Sequence, residues 1–125
     1  MKLKTREKDY IFMIEGGKLI VLYDGKKEIV LVLSINDNKI MMKTEDECKR
    51  EKYIKTSQIV SLDFSMDFVT KSEKVYKVRT CENHLLLFKD SELKGEIEKI
   101  SSLKVGSHLE ILLKRPNIRS LKFHI

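Results

Sequence analysis

The sequence predicts a mostly β protein of the α+β class, a small antiparallel β-barrel capped by one amphipathic helix, with a β-hairpin at its C-terminal end. Most apolar residues alternate with polar ones or form short runs, as strands do. Asp24-Gly25 separates two apolar runs, which indicates a hairpin because both residues tolerate a positive φ. Only residues 91–104 have apolar residues at helical spacing. A barrel is favoured because closure removes exposed strand edges.

Nine segments have strand-like patterns, seven before the helix and two after it. They cover residues 10–14, 18–23, 27–34, 39–44, 53–64, 74–80, 84–88, 108–114 and 118–125. Turns are expected at Gly16-Gly17, at residues 36–38 and at Pro116-Asn117, since glycine, asparagine and proline favour turns. Residues 45–51 are charged without an apolar pattern, and we expect an exposed loop there. No internal repeat is evident.

The predicted helix begins after Asp90 or Ser91, either of which can cap its first turn. Gly106 stands where a helix would end. The apolar residues of this segment form one helical stripe of Leu93, Ile97, Ile100 and Leu103. We expect this stripe to close the barrel rather than to enter a partner's groove.

Length and composition indicate a single domain over residues 1–125, with 42% apolar and 35% charged residues. A membrane-spanning helix needs about 20 consecutive apolar residues, and no such run is present. The first nine residues are charged and no apolar segment follows them, so no signal peptide is expected. An intracellular location follows, in which Cys48 and Cys81 are expected to be free thiols.

No group of residues predicts catalysis, and we expect neither enzyme activity nor a cofactor or metal. Cys81-Glu82-Asn83-His84 has the spacing of half a zinc site, but a structural site needs four ligands. Gly16-Gly17 lacks the longer spacing of a phosphate-binding loop. The acidic residues 45–47 lie in a charged segment, whereas catalytic carboxylates need a partly buried setting.

The net charge of +6 is unevenly distributed, because residues 111–125 contain four basic residues and no acidic one. In addition, Tyr76 lies among Lys74, Lys77 and Arg79, an arrangement similar to base-stacking strands. Basic surfaces attract nucleic acid, anionic lipid or acidic protein segments. The candidate anion- or partner-binding residues are Lys26, Lys27, Lys77, Arg79, Lys114, Arg115, Arg119 and Lys122.

Residues 57–104 resemble the second half of a pleckstrin-homology-like domain. The resemblance lies in Lys74-Val75-Tyr76-Lys77-Val78-Arg79-Thr80, a short turn, His84-Leu85-Leu86-Leu87-Phe88 and the helix from Ser91. It implies a strand pair that leads into a helix capping a seven-stranded barrel, in a fold that usually serves recognition. The chain departs from the pattern by lacking a tryptophan in the helix and by having two further strands.

Two other families have a partial resemblance. Residues 18–64 are similar in strand order to Sm-like and SH3-like barrels, without the small-residue and Asp-Asn signatures of the RNA-binding members. Residues 81–86 and 102–106 resemble parts of the self-splicing Hint fold. That family begins with a nucleophilic Cys or Ser and ends in Asn, and neither is present here.

These observations predict a non-catalytic interaction module, most simply one that binds a protein partner. An alternative is nucleic-acid binding through the basic C-terminal hairpin. A third hypothesis is anionic-lipid recognition by the loop of residues 24–27.

Overall fold

A computed structural model of the chain describes residues 1–35, 39–45, 51–82, 84–103, 108–114 and 119–125. These residues form thirteen strands and one 3₁₀ turn, Thr56–Gln58. The strands are β1 (Lys2–Thr5), β2 (Asp9–Glu15), β3 (Lys18–Tyr23), β4 (Lys26–Ile35), β5 (Lys39–Thr44), β6 (Glu51–Lys55), β7 (Ile59–Asp63), β8 (Met66–Val69), β9 (Val75–Cys81), β10 (His84–Lys89), β11 (Glu92–Leu103), β12 (His108–Leu113) and β13 (Arg119–His124).

All strand pairs are antiparallel, and together they form one curled sheet that resembles a half-barrel. Its main path runs β7-β1-β2-β3-β4-β11-β10-β9-β8, with β5 and β6 branching from β4 and with β12 and β13 branching from β11. The long strands β4 and β11 pair with each other at the centre. Each passes from one neighbour to another along its length, β4 from β3 to β5 and β11 from β10 to β12.

The predicted capping helix is wrong, and with it the α+β class, because residues 92–103 form β11 and the described part of the chain contains no α-helix. Asp90 and Ser91 have φ values of 50° and 66°. Two consecutive positive φ values make the tight turn of a β-hairpin, which returns the chain alongside β10 instead of starting a helix. Gly95 has a φ of 153°, and a Cβ there would lie 3.0 Å from Leu113 Cδ1.

β11 contains two β-bulges, and the second gives the buried Ile97 and Ile100 their helical spacing. Lys94 is the extra residue between the paired Leu93 and Gly95, and Glu98 is the extra residue between Ile97 and Lys99. Each extra residue shifts the alternation of side chains by one position. Ile97 and Ile100 are therefore both buried although they are three residues apart. Leu93, assigned to the same stripe, is 55% exposed.

The structure contains an internal repeat that was not evident in the sequence. The strands β2 and β3 recur with identical lengths 66 residues later as β9 and β10, and β5 recurs 69 residues later as β12. β2 and β9 have the same order of exposed and buried residues. We call β1–β6 the first repeat and β8–β13 the second repeat, with β7 between them.

Local details also recur in the two repeats. Both hairpin turns that precede the long strands have two positive φ values, at Asp24-Gly25 and at Asp90-Ser91. Both long strands have a bulge at equivalent places, after Val30 in β4 and after Ile97 in β11. Leu33 pairs directly with the equivalent residue of the other repeat, Ile100. Exchanging the two repeats converts the residue pair on one side of this central pair into the pair on its other side. The two repeats are thus related by an approximate two-fold axis through the β4–β11 pair.

Most predicted strands are confirmed, and two match the structure at both ends, β3 and β5. The segment predicted over residues 53–64 is divided into β6, the 3₁₀ turn and β7. The short strands β1 and β8 were not predicted. The turns expected at residues 36–38 and at Pro116-Asn117 lie outside the described residues, as does most of the segment 45–51.

The contact between the repeats should be the most sensitive part of the core. Ile100 is 1% exposed and packs where the two repeats meet. We expect Ile100→Ala to lower the free energy of unfolding by about 2–5 kcal/mol, since the substitution leaves a cavity. Urea denaturation measures this change. Val60→Ala is the control, because Val60 is 60% exposed and should change stability by less than about 0.5 kcal/mol. Equal effects would contradict the central position of Ile100.

Candidate functional site

A cleft of about 460 Å³ opens in the second repeat, between the turn that follows β8 and the last strand, β13. Its lining combines basic, hydroxyl and aromatic side chains with one aliphatic one. The lining residues are Thr70, Lys71, Ser72, Lys74, Tyr76, Leu121, Lys122, Phe123 and His124.

Backbone hydrogen bonds hold the turn beside β13. The Thr70 amide donates to the Lys74 carbonyl (3.0 Å), and the Lys74 amide donates to the Thr70 hydroxyl (3.1 Å). Glu73 has a φ of 64°, which tightens this turn. The Lys71 amide donates to the His124 carbonyl at 2.6 Å. These bonds place the basic side chains of the turn next to those of β13.

Two residues of the cleft lining, Tyr76 and Phe123, form an aromatic cluster with Phe68, which does not itself line the cleft. Phe68 and Tyr76 stack with ring centroids 5.3 Å apart, and the Phe123 ring meets Tyr76 edge-on at 4.5 Å. The Lys89 ammonium lies 5.9 Å from the Tyr76 ring centroid, within cation–π range. Tyr76 is half-buried and Phe123 is buried. The rings therefore stabilise one another and have little free face to offer a ligand.

The charge of the lining has one sign. Lys71, Lys74 and Lys122 are cationic. Glu73 belongs to the same turn but does not line the cleft, and no described acidic residue does. A concave surface with charge of one sign concentrates ligands of the opposite charge. The cleft is thus suited to an anionic group.

The equivalent part of the first repeat is covered by the chain itself. β7 pairs with the outer edge of β1, where Ile59 lies opposite Thr5 and Leu62 lies opposite Leu3. The amide of Arg6, the equivalent of Lys71, donates to the Gln58 carbonyl at 3.1 Å. In the second repeat, β9 is the only described strand that pairs with β8. The outer edge of β8 is therefore open.

The sequence-predicted site residues are not brought together. Lys122 lines the cleft, and Lys77 is exposed on β9 outside it. The Arg79 guanidinium pairs with the Asp67 carboxylate at 2.7 Å. Arg115 lies outside the described residues.

The other candidates of the basic C-terminal hairpin are engaged elsewhere. The Lys114 ammonium lies 3.2 Å from a Glu96 oxygen. The Arg119 guanidinium donates to the Lys94 carbonyl at 3.1 Å.

The loop candidates lie in the first repeat. Lys26 is exposed at the start of β4, and the Lys27 ammonium pairs with the Glu15 carboxylate at 2.8 Å.

Two cleft lysines, Lys71 and Lys74, are not among the binding residues selected from the sequence, although Lys74 is close to Tyr76 in the chain. Lys71 was missed because β8 was not predicted and the turn after it could not be placed. The sequence indicates β8 only weakly, because apolar and polar residues alternate over only part of Met66-Asp67-Phe68-Val69.

Cys81 and His84 face each other across the β9–β10 hairpin. The His84 Nδ1 donates to a Glu96 oxygen at 2.6 Å, and Cys81 is exposed. Among the described residues, no group of three His, Cys, Asp or Glu side chains could hold a metal ion. Gly16 and Gly17 form the expected turn, with φ values of 57° and 74°.

Comparisons do not assign the chain to a family. No family model matches it, and no curated protein or solved structure was found to match it. In the ranges that the structure describes, no helix is long and apolar enough to cross a membrane. The pleckstrin-homology-like resemblance stays a prediction, although the segment expected as its helix is β11.

Glu96 ties the second repeat together and should give stability a pH dependence. The hydrogen bond from His84, together with Lys114, holds the pKa of Glu96 below its usual value. A carboxylate with a lowered folded pKa stabilises the fold above its unfolded pKa, and this contribution is lost as the pH falls through the folded pKa. We expect Glu96→Gln to cost on the order of 1 kcal/mol near neutral pH.

The difference should disappear as the pH is lowered through the range in which carboxylates titrate. Urea denaturation between pH 7 and pH 3 measures it. Glu98→Gln is the matched control, since Glu98 is exposed on the same strand. A difference between Glu96→Gln and the wild type that stays constant over this pH range would contradict the role of the carboxylate.

Proposed function

We propose that the protein is a non-catalytic binding module that recognises an acidic, extended segment of a partner protein at the cleft of the second repeat. The observation that carries this proposal is the basic cleft beside an open strand edge. Three lysines line the cleft, and β8 next to it has no described neighbour on its outer side.

An exposed apolar pair beside the cleft favours a protein ligand. Val69 and Val75 lie opposite each other on β8 and β9 and are 56% and 41% exposed. The first repeat has the charged residues Lys4 and Asp9 at the equivalent positions. Covering two valines with a partner's apolar side chains stabilises a complex. A surface that combines this pair with lysines suits a segment with both acidic and apolar residues.

The aromatic cluster favours protein over nucleic acid. Sequence-independent binding of single strands depends on bases that stack on aromatic rings. One face of Tyr76 is covered by Phe68, and Phe123 is only 6% exposed. The lysines remain the observation in favour of nucleic acid as a second candidate, and strong salt dependence would accompany such binding.

Anionic-lipid recognition by residues 24–27 has less support. The Lys8 ammonium pairs with Asp24 at 2.8 Å, and Lys27 pairs with Glu15. These ion pairs reduce the positive potential of this turn.

Charge reversal in the cleft tests the proposal. We expect the double variant Lys71→Glu/Lys122→Glu to bind a fluorescein-labelled hexaglutamate peptide at least about tenfold more weakly than the wild type, because two favourable charges become repulsive. Fluorescence anisotropy at 50 mM and 200 mM salt measures the affinity. The matched control is Lys26→Glu, since Lys26 is an exposed lysine of the first repeat.

Equal weakening by Lys26→Glu, or unchanged binding by the double variant, would overturn the proposed site. A ten-nucleotide single-stranded oligothymidine serves as the second probe. If the oligonucleotide binds more tightly than the peptide and loses its affinity in the double variant, nucleic acid replaces protein as the ligand.

A further inference from the structure

We propose that the partner segment binds by strand addition to β8, in the place that β7 occupies on β1 in the first repeat. The inference rests on the proposed function and adds the binding mode, direction and residue preferences of the ligand. It starts from the equivalence of the two repeats: β8 pairs with β9 as β1 pairs with β2, and Phe68 opposite Tyr76 corresponds to Leu3 opposite Tyr10. Of the strands β1 and β8, β1 has a further strand, β7, on its outer edge, and β8 has none among the residues that the structure describes.

The hydrogen-bonding pattern identifies the free positions of β8. Residues of an antiparallel pair point their backbone groups alternately towards and away from the partner strand. The Thr70 amide donates to Lys74, in register with the β8–β9 pairs, so Phe68 and Met66 also bond to β9. The amide and carbonyl groups of Asp67 and Val69 therefore point to the open edge.

The aromatic cluster bears on how the second repeat packs where no described strand corresponds to β7. Ile59 and Leu62 of β7 pack against the hydrophobic core, which is one cluster formed by residues of both repeats. In the second repeat, the larger Phe68 replaces Leu3, and Phe123 replaces Ile54. These rings fill space in the core. We therefore infer that packing of the second repeat does not require an added strand, and that the backbone edge of β8 stays available to a ligand.

The direction of the ligand follows from β7. β7 runs antiparallel to β1, so that its first residues lie near Arg6 and its last residue, Asp63, lies opposite Lys2. A strand added to β8 in the same direction begins near Lys71, Lys74 and Lys122. Its acidic residues belong at its N-terminal end.

One position should have the reverse charge preference. Asp63 lies opposite Lys2 in the first repeat, and Asp67, which also pairs with Arg79 and is exposed, occupies the place of Lys2 in the second. Opposite charges at directly paired positions stabilise strand pairs, and like charges destabilise them. The added strand should therefore have a lysine where β7 has Asp63.

A second copy of this chain is a poorer occupant of the β8 edge than an acidic partner segment, because each copy has a net charge of +6.

A synthetic peptide with the sequence of residues 56–65 tests the binding mode. It contains the substitutions T56E, S57E and D63K, so that its charges match the second repeat. Two versions differ only in the position of one backbone N-methyl group. By alternation on β7, the amide of Ser61 faces the strand edge that it pairs with, whereas that of Leu62 faces away.

We expect the unmodified peptide and the Leu62 N-methyl version to bind the full chain with affinities within about threefold of each other. The Ser61 N-methyl version should bind at least tenfold more weakly, because it cannot donate to the edge of β8. The D63 version without the lysine substitution should also bind more weakly. Isothermal titration calorimetry measures all four affinities, and sedimentation velocity checks that the protein does not dimerise through the same edge.

The outcomes separate the binding mode from the function. Equal affinities of the two N-methyl versions would overturn strand addition, and the function would still stand if Lys71→Glu/Lys122→Glu abolished binding. If neither the strand peptides nor the hexaglutamate peptide binds the protein, both the binding mode and the proposed function are overturned. If the protein self-associates and the peptide displaces this self-association, the edge belongs to a second copy and the choice of occupant is overturned.

Val69→Pro is an independent test of the binding mode, because it removes an edge amide that does not bond to β9. The variant should bind the peptide more weakly than the wild type. Thermal unfolding checks that the variant keeps the fold.

Discussion

The pairing of β4 with β11 is the constraint on which the rest of the structure depends. Leu33 and Ile100 lie opposite each other at its centre, and both are buried. Each of the two long strands has a bulge, and beyond the bulge it pairs with a different strand than before it. Each long strand therefore connects two hairpins. Because the bulges are equivalent, one central pair generates two similar curled halves. The cleft exists because these halves are finished differently at their outer edges.

The outer edges of the two repeats differ in exchanges that include three equivalent positions of the sheet. Leu3 and Ile54 of the first repeat are replaced by Phe68 and Phe123, and all four side chains belong to one buried core. Lys4, at an edge that β7 covers, is replaced by the exposed Val69. One repeat has an added strand on its outer edge, and the other has none among the described residues. The open backbone edge of the second repeat lies beside the lysines of the cleft.

The sequence predicted those elements whose local signals agree with their final structure. Asp24-Gly25 identified a hairpin because aspartate and glycine both tolerate positive φ. Asp90-Ser91 adopts the same conformation, yet serine seldom does so, and Asp-Ser before an apolar stripe is a typical helix start. The bulge at Glu98 then gave Ile97 and Ile100, which are both buried, the spacing of a helix. A bulge is set by the pairing of two strands, so the pattern within one segment could not reveal it.

The repeat and the site were hidden for the same reason. Over residues 9–29, only Tyr10, Leu19 and Asp24 are identical 66 residues later, so the duplication is conserved in strand lengths and register rather than in side chains. Lys122 could be selected from local charge, but its neighbours in space come from a turn 50 residues earlier in the chain. Charge alone also selected Arg79 and Lys114, whose partners Asp67 and Glu96 are on adjacent strands. Whether a lysine is available to a ligand is decided by strand pairing, which brings some basic residues to carboxylates and leaves others at an open edge.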